Sequence, residues 1–147
     1  MVIEGMTHIA AAPSRSTASA TTLAVAGPIA WNLILVVLAF GEATAPQSDG
    51  RTMAWTLFAF AGASLMAMVV AAVGALLVAR GEGGLAMALT GLRVQCCLAF
   101  LHLLPAAITV GPLVGLGATA VMIGGWALLP RVTAELTDAA ARRAPAG

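Results

Sequence analysis

Apolar residues dominate four long stretches of the sequence, and most polar residues fall in the short breaks between them and at the two ends. A helix of ~20 mostly apolar residues crosses the ~30 Å hydrocarbon of a bilayer. Leu23 to Phe40 is of that order, as are Met53 to Ala79, Leu85 to Leu104 and Pro112 to Leu129. The second run is long enough to tilt or to project beyond the hydrocarbon. Gly, Pro and small polar residues mark the breaks as turns at 41–51, at 80–84 and around Pro105 to Gly111. Pro105 either ends the third helix or lets it continue, kinked, to Val110. The pattern predicts an all-α integral membrane protein, a four-transmembrane-helix bundle over 22–130. A flexible tail is expected at 1–21 and a short tail at 131–147, the latter as a brief helix with a solvated charged face.

Composition strengthens this reading. Of the 147 residues, 61% are hydrophobic and 9% are charged, against about 25% charged in a water-soluble domain. There is too little polar surface to cover a globule, so lipid is the expected solvent for most of the chain. Net charge is +1, and no basic cluster suited to nucleic acid is present. The positive residues are all Arg, and they are unevenly placed. Arg15, Arg80, Arg131, Arg142 and Arg143 flank the side that holds both ends, whereas the opposite side has only Arg51. By the positive-inside rule both termini are expected in the cytoplasm. An alanine-rich, lysine-free chain points to a bacterial inner membrane. The first span is expected to remain as an anchor. It exceeds a signal-peptide core, and Pro46 directly follows the cleavage-like Ala43-Thr44-Ala45.

Small residues supply the expected packing faces, because in lipid the helices gain little from apolar burial against one another. Ala59, Ala63, Ala67, Ala71, Ala75 and Ala79 recur at every fourth position of the second span. Gly111 and Gly115 form a GxxxG in and before the fourth span, and Ala120 with Gly124 repeats the spacing. Trp55 and Trp126 fit interfacial belts. Asn32, deep in the first span, should face another helix.

The third span holds the unusual stretch LRVQCCLAFLH, Leu92 to His102. At 100° per residue Gln95 and His102 share one face, whereas Arg93 and His102 lie on opposite sides. Arg93 with Cys96 and Cys97 is thus separated from Gln95 with His102. No acidic residue lies within a span, so Arg93 has no counter-ion inside the membrane from its own chain. It either reaches lipid headgroups or meets an anion from a ligand or a partner. Adjacent cysteines, one histidine and no carboxylate do not make a metal site, and no cofactor motif is present. A CxxC, an HExxH and a nucleophile elbow are all missing.

Two functional expectations follow. The first is a non-catalytic subunit or accessory factor of a larger membrane assembly, bound to a membrane-protein partner or to further copies of itself. The second is a transporter or membrane enzyme for a hydrophobic or anionic small molecule, with Arg93, Gln95, His102 and Asn32 lining one polar cavity.

Overall fold

The computed structural model describes residues 15–46 and 49–143. It contains four helices, α1 Arg15–Thr44, α2 Arg51–Arg80, α3 Leu85–Thr109 and α4 Pro112–Arg143. Each is long and apolar enough to cross a membrane. Large apolar side chains such as Val37, Met66, Leu104 and Leu113 stand on the outside of the bundle. A surface of that kind suits a multi-pass membrane protein and no water-soluble monomer.

Each helix packs on the next in sequence and α4 returns to α1, while the diagonal pairs α1/α3 and α2/α4 touch little. The result is an up-and-down ring of four. Thr21 of α1 hydrogen-bonds to Glu135 of α4, so the two described ends of the chain lie at one end of the bundle. The turns have clear local causes. Gly81 closes α2 in the left-handed conformation (φ 77°), its N–H reaching Val78 while Glu82 N–H reaches Leu77. Gly111 (φ 125°) supplies the corresponding turn after α3.

The closest approach is between α2 and α3. A Cβ on Gly91 would stand 2.5 Å from the Ala67 carbonyl oxygen and 2.6 Å from the Ala71 nitrogen. A Cβ on Gly74 would strike the Ala88 backbone. These glycines therefore let the two backbones meet directly.

The alanine row is an interface only at its centre. Ala67 and Ala71 are buried and Ala75 is half-buried, but Ala59, Ala63 and Ala79 are exposed. A step of four residues turns about 40° past a full circle, so a row of fourth positions winds around its helix. The buried seam instead steps by three and four: Leu57, Ala61, Ser64, Met68, Ala71, Gly74 and Val78. In the fourth span, Gly115 packs closely on Ala107, whereas Gly111 belongs to the turn and Gly124 meets nothing within 4 Å.

Helices extend past the expected span limits at Pro105, where the sequence left two alternatives, and in the two tails. Pro105 does not end α3, which runs on to Thr109. Neighbouring helices tolerate the missing N–H because Pro105 is buried among them. The region expected as a short tail from 131 is an unbroken part of α4 to Arg143, and it buries Val132 and Leu136. At the other end, α1 already begins at Arg15, within the segment expected to be flexible to residue 21; residues 1–14 lie outside those described.

Candidate functional site

Two apolar clusters make the core, and a polar layer divides them. Toward the end with both termini, Ala24, Met68, Ala71, Ala88, Leu92, Val132 and Leu136 pack together. Toward the other end the cluster is Leu35, Ala39, Leu57, Ala61, Ala106 and Ala118. Between them, near the middle of three helices, lie Asn32, Ser64 and Gln95, all buried. The Ser64 hydroxyl donates to Gln95 Oε1, and Asn32 Nδ2 donates to the same oxygen at 3.5 Å. Asn32 Nδ2 also reaches back to the Pro28 carbonyl at 2.9 Å. One amide oxygen thus ties α1, α2 and α3 together. Interhelical bonds of this kind contribute about 0.6–2 kcal/mol each in a membrane protein.

His102 sits two turns from Gln95 on the same buried face of α3. Its ring hydrogen-bonds to the backbone of Phe60, and Nε2 is buried with no partner among the described residues. The Asn32 Oδ1 and Trp31 Nε1 atoms are in the same condition.

Beside this layer the packing between α1 and α4 opens. A groove of about 350 Å³ faces outward between them, walled by Leu23, Ala24, Gly27, Pro28, Ala30, Trp31, Ile34, Val121, Gly124, Gly125 and Leu128. The Trp31 ring fills the space over Gly117 at its upper end. Behind the groove is a small cavity of about 20 Å³ among Ala24, Pro28, Met68, Leu92, Gln95, Cys96, Gly125, Leu129 and Val132. Ala24, Pro28 and Gly125 border both spaces.

Charge is kept away from this region. At the end carrying both termini, Arg131 pairs with Glu135 at 3.2 Å, and Arg143 donates to the Val78 carbonyl at 2.9 Å. No three metal-ligating side chains cluster among the described residues.

The four candidate residues do not form one cavity. Asn32 and Gln95 meet, joined by Ser64, which the sequence reading did not single out. His102 lies above them on the same side. Arg93 is on the outer face of α3 with Val94 and Cys97, while Cys96 is buried next to Gln95. Contacts across the α3/α4 pair, Gly115 with Ala107 and Gly125 with Cys96, give the antiparallel register. They place Arg93 about one turn deeper in the bundle than Arg131. Along α2 the exposed apolar surface continues past the level of Arg93, from Val69 through Val73 to Leu76. Arg93 therefore stands within the apolar belt, and no ion pair to it forms among the described residues.

Substituting Gln95 by Leu should remove the shared acceptor and strand the Ser64 hydroxyl in an apolar interior, leaving Asn32 Nδ2 with the Pro28 carbonyl alone. We expect a loss of about 1–2 kcal/mol, read as earlier unfolding in detergent on heating. Unchanged stability would mean that the layer does not help hold the helices.

A comparison with protein-family models, with curated proteins and with solved structures finds no match to this chain, so its function is read from the geometry alone.

Proposed function

We propose that the protein is a non-catalytic, membrane-embedded subunit or accessory factor, which docks on a larger membrane protein through its outer surface. The observation that carries this reading is Arg93. It is exposed on the outward face of α3, inside the apolar belt, and has no acidic partner among the described residues. A lipid-facing Arg at mid-membrane costs ~2.5–3.5 kcal/mol on insertion scales, and an acidic group on a partner helix would offset that cost. The interior supports the same reading. Asn32, Ser64, Gln95 and His102 bond across helices, and no nucleophile stands beside a general base among the described residues. The loops between helices are short, leaving little mass outside the membrane for chemistry in water. The Arg distribution supports both termini in the cytoplasm, and the alanine-rich, lysine-free composition supports a bacterial inner membrane.

Purification in mild detergent tests the proposal. The wild-type protein should isolate with a partner, and Arg93→Gln should isolate without it. The variant's own unfolding should shift by no more than about 0.5 kcal/mol, as for other surface substitutions. A wild-type protein that consistently isolates as a lone monomer would overturn the reading.

A further inference from the structure

We propose that the groove between α1 and α4 is a lateral entry, from the lipid, to a binding site for an uncharged apolar molecule with a single hydroxyl head. The hydroxyl would lie in the small cavity beside Gln95 and the apolar body along the groove. This goes beyond the subunit reading and does not depend on it.

The inner cavity determines the head. At about 20 Å³ it has room for one water-sized group, since such a group needs ~10–15 Å³. A phosphate or a larger headgroup does not fit, and no charged residue lines the wall to hold an ion. Gln95 is the one amide in that wall. Its Oε1 accepts from Ser64 and Asn32, and its Nε2 takes no part in those interhelical bonds. Gln95 is 5% exposed and lines the cavity, which offers that donor room for an acceptor. The opposite side offers an acceptor. Pro28 has no N–H, so the Ala24 carbonyl, four residues earlier, lacks its helical donor. Both Ala24 and Pro28 border the cavity. A hydroxyl there accepts from Gln95 Nε2 and donates to the Ala24 carbonyl.

The groove determines the body. Its walls are apolar, it opens sideways between two helices, and at about 350 Å³ it falls in the ~300–1,000 Å³ range of small-molecule sites. Gly27 and Gly124 leave its floor open, since a Cβ on either would meet nothing within 4 Å. An elongated chain is the shape that fits.

Trp31 on the groove wall gives the signal. In a Trp55→Phe, Trp126→Phe protein, Trp31 is the remaining tryptophan. Reconstituted in lipid nanodiscs, it is titrated with a decanol bearing a bromophenyl ring at its far end, a contact quencher. The control is the same molecule with a methyl group in place of the hydroxyl. We expect saturable quenching by the alcohol, with the control binding about tenfold more weakly for the lost hydrogen bonds. Gly124→Leu should fill the groove and abolish saturation while leaving unfolding unchanged; Gly27→Leu does the same from the α1 side if the first variant is unstable. Equal quenching by both molecules, rising without saturation, would overturn the proposal in favour of ordinary lipid chains in the groove. So would a groove closed by a second copy, seen as a dimer that Gly124→Leu dissociates and that shows no saturable quenching. Neither result bears on whether Arg93 recruits a partner.

Discussion

Adding one methyl group at Gly91 or at Gly74 is expected to destabilise the bundle more than any other single-carbon change in it. The new Cβ at Gly91 would lie 2.5 Å from a backbone oxygen and 2.6 Å from a backbone nitrogen of α2. At Gly74 it would meet the backbone of Ala88. Neither obstacle is a side chain that could rotate away, so the helices must separate, and the Ala67/Ala71 contact and the Ser64–Gln95 bond loosen with them. Overpacking costs typically 1–3 kcal/mol, occasionally more. Each substitution should fall at the upper end, near 3 kcal/mol, and the double variant should not yield a monodisperse protein. Gly62→Ala is the control. Its added methyl meets nothing, and replacing a helical Gly should gain up to ~1 kcal/mol. Thermal unfolding in detergent reads both. A Gly91→Ala protein as stable as the wild type would mean that α2 and α3 are not in backbone contact.

Run length alone makes the four helices legible, because hydrocarbon thickness sets a minimum that few buried soluble helices reach. The separation of Arg93 from Gln95 and His102 was legible too, since 100° per residue sets them apart without knowledge of any neighbour; Cys96, grouped with Arg93 on that reckoning, is instead buried beside Gln95, because the buried face of α3 is wide enough to take in both. Asn32 could be assigned to an interface because it is costly anywhere else. Ser64 gave no such warning. A hydroxyl within an alanine-rich span is cheap enough to face lipid, and only its place in the three-and-four seam with Leu57, Ala61, Met68 and Ala71 marks it as interior. The same seam shows why the alanine row packs within the chain only at its centre: regular fourth positions look like a stripe in sequence but wind around a helix. The groove was illegible for a related reason. Gly115 and Gly124 have the same chemistry in sequence, yet one packs on Ala107 and the other borders open space. Which small residue is filled and which is left empty depends on how α1 and α4 diverge, and that depends on every other contact.

The last turns of α4 should prove indispensable, although their composition reads as a solvated tail. Beyond Pro130 the helix carries Arg131, Glu135, Asp138, Arg142 and Arg143, which give the segment its polar appearance. Its other face buries Val132 and Leu136 against Ala24, Val78 and Ala88. Glu135 accepts from Thr21 at 3.0 Å, and Arg143 donates to the Val78 carbonyl, which also accepts from the Gly81 N–H at the end of α2. This segment thus clamps α1 and α2 at the end where both termini lie. Removing a buried Leu side chain costs about 2–5 kcal/mol, so Leu136→Ala should lower stability by at least 2 kcal/mol, whereas exposed Thr137→Ala should change it little. A chain ending at Arg131 loses both apolar anchors and both polar ties, and it should fail to accumulate in the membrane. Wild-type accumulation and unfolding of that shortened chain would show instead that α4 does its work within the membrane span and that the clamp is incidental.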